Sequence, residues 1–191
     1  LYTTLGGFLA ASTSDFIQSC IMTVALIIVL GFGIYTAGGI GQVIDNSREL
    51  AGYLSLTHSH DQATGASSPY GFISIVSTLA WGLGYFGMPH ILLRFMAIED
   101  HKKLKLSRRV ATVWVVISMG AAVAIGVVGL SMSKAGAVPY LEGSSASETI
   151  IIQISSLIST HGAIAALVAG LIIAGILAAT MSTSDSQLLA A

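Results

Sequence analysis

The stretch VATVWVVISMGAAVAIGVVGLSM, from Val110 to Met132, decides the fold class of this chain. It contains no charged residue, and it is long enough to cross the roughly 30 Å hydrocarbon core of a bilayer, which takes about 20 helical residues. Charged residues make up only 9% of the chain and hydrophobic residues 54%, whereas a soluble domain carries roughly a quarter charged residues. The sequence therefore predicts an all-α, polytopic membrane protein.

Three other stretches resemble this one in length and apolar character. They lack Lys, Asp and Glu, and their only Arg is Arg94, which lies near the end of a stretch, where a long side chain can reach the interface. The four predicted transmembrane spans are about 16–37, 70–97, 110–132 and 163–182.

The basic residues predict the orientation of these spans. Five of the eight Lys and Arg residues lie in the predicted loop 98–109, and such residues concentrate in cytoplasmic loops. We therefore expect this loop to be cytoplasmic, and the loop of about 38–69 and the segment after Met132 to be external. In that last segment, isoleucine and leucine recur at helical spacing between Glu142 and Thr160, which predicts a short amphipathic helix on the external face.

Several features limit the range of possible functions. The net charge of −1 gives no sign of a nucleic-acid partner. His58 and His60 lie in a polar loop, where solvated histidines are a commoner explanation than a metal site. Because the chain begins without Met and ends in a helix-like run, we expect residues 1–191 to be an internal fragment of one transmembrane domain.

Oxygen atoms form a row near the end of the last predicted span. By helical spacing, the Ala179 carbonyl, the Ser182 and Thr183 hydroxyls and the Ser186 hydroxyl share one face. Hard, uncharged oxygens suit an alkali cation. Alternatively, these hydroxyls bond back to carbonyls one turn earlier, as Ser and Thr commonly do in membrane helices.

The second predicted span is interrupted by glycines and a proline between Trp81 and His90. Pro89 removes a backbone hydrogen bond and disfavours a continuous helix. Trp81, Tyr85 and Pro89 share one face, so they either line a cavity or pack against another helix.

Asp15 places a carboxylate at the mouth of the first predicted span. It either has a functional role or caps the helix N-terminus together with Ser14.

Taken together, these elements resemble the sodium/solute symporter family. The resemblance covers the whole chain and rests on three segments in order: 1–10 with Ser14, Asp15 and Gln18; 81–96; and 176–183 with 187–189. It implies that the chain is part of a ten-helix core of two inverted repeats, from the end of the first repeat through most of the second repeat's first three helices.

The resemblance also implies roles for individual residues. It implies sodium ligation by the Ala179 carbonyl and the Ser182 and Thr183 hydroxyls, with the other ligands on a first core helix that is absent here. It implies contact of Trp81, Tyr85 and Pro89 with the substrate, and a link of Asp15 to cation coupling.

The expected function is sodium-coupled uptake of a small solute, proline or a similar amino acid, by alternating access in the bacterial inner membrane. Met88 and Ser14 depart from the family's proline carriers, which have Gln and Thr there, so a symporter for another small organic solute stays open. A transporter-like sensor module and a passive channel are further alternatives. An enzyme is not expected, because no Gly-x-Ser-x-Gly motif is present and His90 and His161 have no evident catalytic partner.

Overall fold

The computed structural model describes residues 2–61, 64–85, 87–98, 100–141 and 143–190. Within these ranges the chain forms eight helices and one two-stranded antiparallel hairpin. The elements are α1 (Tyr2–Thr36), α2 (Ile40–Arg48), β1 (His58–His60), β2 (Ser67–Pro69), α3 (Phe72–Tyr85), α4 (Pro89–Met96), α5 (Lys103–Lys134), α6 (Ser144–Ser147), α7 (Ile150–Ser159) and α8 (Ala163–Ala190). The prediction of an all-α chain is confirmed, and the short hairpin is a local addition within the predicted loop 38–69.

Three helical segments in the described part of the chain are long and apolar enough to cross a membrane: Gly6–Thr36, Lys103–Lys134 and Ala163–Leu188. Helices α3 and α4 pass the same test as a pair, with a bend of 47° between them. The break falls where glycine and proline predict it, between Tyr85 and Pro89. Pro89 is suited to the first turn of α4 because the backbone N–H that proline lacks would have no partner within the helix there.

Two helices extend beyond the predicted transmembrane spans. Helix α1 starts at Tyr2 instead of near Phe16, with a kink at Gly7, whose φ of 54° is a left-handed conformation that glycine adopts readily. Helix α5 starts at Lys103, so the second half of the predicted loop 98–109 is helical. The predicted boundaries followed the hydrophobic stretches, whereas a helix continues beyond them wherever the residues favour it.

The chain divides into two compact units. Unit 1 comprises residues 1–23, 72–118 and 174–191, and unit 2 comprises residues 24–71 and 119–173. The boundaries between the units fall inside α1, α5 and α8, so each of these helices contributes residues to both.

Unit 2 contains the main apolar core of the described chain. Its buried side chains come from α1, α2, α5, α7 and α8, and among them Ile125, Met132 and Ile154 are almost completely inaccessible. Lys134 at the end of α5 bonds Glu49 at 2.7 Å and the Asn46 carbonyl at 3.0 Å. In unit 2, apolar packing is thus supplemented by a polar connection between the ends of α5 and α2.

Unit 1 has a much more open surface. None of the residues of α3 or α4 described in the structure is buried, and apolar side chains such as Phe72, Ile73 and Leu79 are exposed. In a membrane, such a surface contacts lipid or other helices.

Candidate ion and substrate site

All the site residues predicted from the sequence lie in unit 1. They come from three parts of the chain: the first half of α1, the α3–α4 pair and the last part of α8. The contacts between these segments define the geometry of the candidate site.

Asp15 lies in the interior of α1, more than three turns after its first residue, so the interpretation of Asp15 as an N-terminal cap is wrong. Its side chain is mostly buried, at 18% exposure. One carboxylate oxygen accepts a hydrogen bond from the Ser182 hydroxyl, and the other forms an ion pair with Arg94. Asp15 therefore joins α1 to both α4 and α8.

Arg94 is the cation of this cluster. It lies in the last turn of α4 and bonds both Asp15 and the Ser186 hydroxyl, the latter at 2.8 Å. Ser182 and Ser186 are four residues apart and so share one face of α8. The sequence suggested only that Arg94 reaches the interface, whereas the structure gives it two specific partners on two other helices.

The predicted oxygen row on α8 contains hydroxyls with different partners. Thr183 Oγ1 donates to the Ala179 carbonyl at 3.1 Å, the local bond that the alternative interpretation expected. Ser182 donates to Asp15 instead. Each hydroxyl uses its hydrogen in these bonds and keeps oxygen lone pairs for another contact, so neither bond excludes cation ligation.

The aromatic face of α3 ends at the helix break. The rings of Trp81 and Tyr85 are 5.4 Å apart between centroids and tilted by 30°. Both are open to contact, with 73% and 48% exposure, and Pro89 follows at the start of α4. The two aromatic side chains thus lie before the helix break, and Pro89 lies after it.

Comparison with known proteins adds a decisive observation. The model of the sodium:solute symporter family matches residues 1–191, the whole chain. The chain belongs to this family. The sequence resemblance to the family is therefore confirmed, and this symporter-family chain is part of a multi-pass membrane protein.

Curated relatives include bacterial proline transporters. The osmoregulated proline transporter of Bacillus subtilis is 39% identical over 99% of this chain and 35% of its own length. The sodium/proline symporter of Escherichia coli is 34% identical over 99% of the chain and 35% of its length, and that of Staphylococcus aureus is 36% identical over 98% and 33%. The chain spans about a third of the length of these relatives. No solved structure matches it.

The symporter-family chain also contains a polar contact that sequence reasoning missed. Trp114 Nε1 on α5 donates to Thr23 Oγ1 on α1 at 3.1 Å, and Thr23 donates in turn to the Ser19 carbonyl at 2.8 Å. Thr23 and Trp114 lie in separate apolar stretches, and no spacing rule relates them. The bond satisfies the indole N–H, a donor that would otherwise be unpaired in an apolar environment.

The two loop histidines have ordinary local partners. His58 Nδ1 is 2.9 Å from Thr57 Oγ1, and His60 Nδ1 is 2.9 Å from the Ala51 carbonyl oxygen. In the part of the chain that the structure describes, no three His, Cys, Asp or Glu side chains are grouped so that they could hold a metal ion.

Proposed function

We propose that the full-length protein uses sodium to drive the uptake of a small solute, proline or a similar amino acid, by alternating access. The observation that carries this proposal is the break between α3 and α4, beside Trp81 and Tyr85, in a chain that belongs to the sodium:solute symporter family. Interrupted spans are typical of transporter binding sites, because unwound backbone is tolerated at membrane depth only where it lines a cavity. The proline transporters among the relatives support the choice of solute.

Trp81, Tyr85 and Pro89 are the proposed substrate contacts. Flat aromatic faces and a proline ring offer apolar surface to a small, ring-bearing amino acid, and the Tyr85 hydroxyl and the indole N–H offer hydrogen bonds. The exposure of both aromatic rings is consistent with a wall of a site whose other side belongs to the rest of the protein.

The Ala179 carbonyl and the hydroxyls of Ser182 and Thr183 are the proposed sodium ligands in this chain. All three are oxygens, the donor type that hard cations prefer. Ligands from a single helix leave one side of the ion open. The remaining ligands therefore have to come from elsewhere in the full-length protein, as the family resemblance implies for its first core helix.

Sodium and solute are coupled thermodynamically in this scheme. If sodium raises the affinity for solute by some factor, solute raises the affinity for sodium by the same factor. An inside-negative potential favours inward movement of the cation by about 2.3 kcal/mol per charge per 100 mV. Alternate exposure of the loaded site to the two sides of the membrane then converts the sodium gradient into solute accumulation.

The test is sodium-dependent uptake of labelled proline by cells that express the full-length protein. We expect the double variant Ser182→Ala, Thr183→Ala to need at least about tenfold more sodium for half-maximal uptake, a loss of about 1.4 kcal/mol of binding free energy. The matched control is Thr180→Ala, Ser184→Ala. It removes two hydroxyls of α8 that donate to carbonyls one turn earlier, each at 3.1 Å.

An unchanged sodium requirement in the Ser182, Thr183 double variant would contradict the assignment of the ion site. Uptake that never exceeds the outside proline concentration would instead indicate a passive channel. Proline uptake that is independent of sodium would contradict the proposed coupling as a whole.

A further inference from the structure

Both oxygens of the Asp15 carboxylate have partners within a cluster that also contains Arg94, Ser182 and Ser186. Ser182 binds one oxygen and Arg94 the other. The adjoining crevice, lined in part by Phe8, His90 and Leu93, has a volume of only about 10 Å³. A cavity of that size holds at most about one water molecule. In this arrangement Arg94 supplies the positive charge beside Asp15.

The bond from Ser182 to Asp15 has a consequence for the ion site. Because the hydroxyl hydrogen points to the carboxylate, the lone pairs of Ser182 Oγ are directed elsewhere. Donation to a carboxylate also polarises the hydroxyl and makes its oxygen a better ligand, as partners of metal-binding side chains commonly do. Asp15 can therefore support a cation held by Ser182 without contacting that cation.

Arg94 connects this arrangement to the proposed substrate helix. It belongs to α4, the helix that Pro89 begins directly after the break, and it bonds to Asp15 of α1 and Ser186 of α8. A movement of α4 when solute binds would act on Asp15 through the ion pair, and on α8 through Ser182 and Ser186. This contiguous set of contacts is a physical route between the two proposed sites.

We propose that Arg94 and Asp15 are positioning residues for sodium: Arg94 holds Asp15, and Asp15 orients the Ser182 hydroxyl for the ion. This inference rests on the proposed function and deepens it. It differs from direct ligation by Asp15 in one measurable respect, which is the effect of removing Arg94. If Asp15 only positions Ser182, loss of Arg94 weakens sodium binding. If Asp15 is itself a ligand, loss of the competing guanidinium strengthens it.

The experiment uses the purified full-length protein and four variants: Asp15→Asn, Arg94→Gln, their double variant, and Arg94→Lys. Two quantities are measured: the sodium concentration for half-maximal binding of labelled proline, and the rise in Tm caused by sodium without proline. The second requires no transport, since a ligand that binds the folded state stabilises it.

We expect Asp15→Asn and Arg94→Gln each to raise the half-maximal sodium concentration about tenfold, or about 1.4 kcal/mol, and to reduce the sodium-induced rise in Tm. Both residues act through Ser182. The half-maximal sodium concentration of the double variant is therefore expected to be no higher than that of the single variant that binds sodium more weakly, a non-additive result. Arg94→Lys keeps the charge and is expected to recover part of the affinity. Lys134→Gln, which breaks the ion pair with Glu49 in unit 2, is the matched control and should leave the sodium response unchanged.

Tighter sodium binding in Arg94→Gln would overturn the positioning role, as would unchanged binding in both single variants or fully additive effects. A wild-type protein whose proline binding and Tm do not respond to sodium would instead contradict the proposed function. The two failures are therefore distinguishable.

Discussion

At the scale of single residues, Ser182 and Thr183 are neighbours in the chain with different hydrogen-bond partners. Thr183 bonds within its own helix, whereas Ser182 reaches a carboxylate on another helix. Helical geometry explains the difference, because consecutive residues point about 100° apart around the axis. Of these two hydroxyls, only that of Ser182 is aligned by a group outside α8. Replacing Ser182 alone should therefore weaken sodium binding more than replacing Thr183 alone.

Trp81 leads to a prediction about solute binding. Substitution Trp81→Ala removes the larger ring of the Trp81–Tyr85 pair. We expect the KM for proline to increase about tenfold or more, because burial of an aromatic ring contributes about 1.5–3 kcal/mol. Trp81→Phe keeps an aromatic face and should have a smaller effect. Kinetics of sodium-dependent proline uptake at saturating sodium measure both.

The matched control for Trp81 is Leu83→Ala. Leu83 lies two positions further along α3, on the opposite face, and has a similar exposure of 77% against 73%. A KM that rises equally in the Leu83 variant would indicate a general effect on α3 and contradict a substrate contact at Trp81.

Sequence reasoning identified the chemistry of these residues but not their partners. Helical spacing is enough to put Trp81 with Tyr85, or Ser182 with Ser186, on one face. The contacts of Asp15 with Arg94 and Ser182 join residues 79 and 167 positions apart, and depend on how helices pack. From the sequence alone, a helix cap therefore explains Asp15 as well as a functional role does, and no pattern places Arg94 in the site.

At the scale of elements, hydrophobic length predicted the helices and local chemistry predicted the break in one of them. The proline and the glycines before His90 indicated an interruption, and α3 and α4 meet there at 47°. Helix α2 was missed inside the polar loop, although Ile40, Val43 and Ile44 follow the helical period. Short helices are difficult to predict because tertiary packing, more than intrinsic propensity, stabilises them.

Close packing between α5 and α7 leads to a prediction about stability. A Cβ at Gly129 would lie 2.5 Å from Cγ1 and 2.7 Å from Cδ1 of Ile150, whereas a Cβ at Gly126 would meet no atom within 4 Å. Gly→Ala favours a helix by about 1 kcal/mol, but overpacking costs about 1–3 kcal/mol. We expect Gly129→Ala to lower the Tm of the full-length protein in detergent and Gly126→Ala to maintain or raise it.

A second substitution tests whether the clash is the cause. Ile150→Ala creates space opposite Gly129, so Gly129→Ala should be less harmful in that background than in the wild type. Equal loss of stability in both backgrounds would show that contact with Ile150 is not responsible.

At the scale of the whole molecule, the basic segment and the number of crossings together determine the membrane topology. Three described helical segments are long enough to span, and the α3–α4 pair decides whether there is a fourth. If the pair crosses, the connection between α2 and α3 lies on the opposite side of the membrane from the basic start of α5. If the pair enters and leaves on one side, both lie on the same side.

We expect the pair to cross, with the basic segment 102–109 in the cytoplasm and the connection 38–71 outside, following the distribution of Lys and Arg. Single cysteines in the full-length protein, with Cys20 and any other native cysteines replaced by serine, test this. Leu56 is 97% exposed in the outer connection, and the His101 side chain is 88% exposed in the turn before α5. A membrane-impermeant thiol reagent should label the Leu56→Cys variant on intact cells and the His101→Cys variant only after permeabilisation.

Labelling of both positions only after permeabilisation would mean that α3 and α4 form a re-entrant loop, and the proposed substrate face would then open to the cytoplasm alone. Sodium-dependent proline uptake by both variants is the control that the labelled proteins are folded, so that either pattern of labelling reports the native topology.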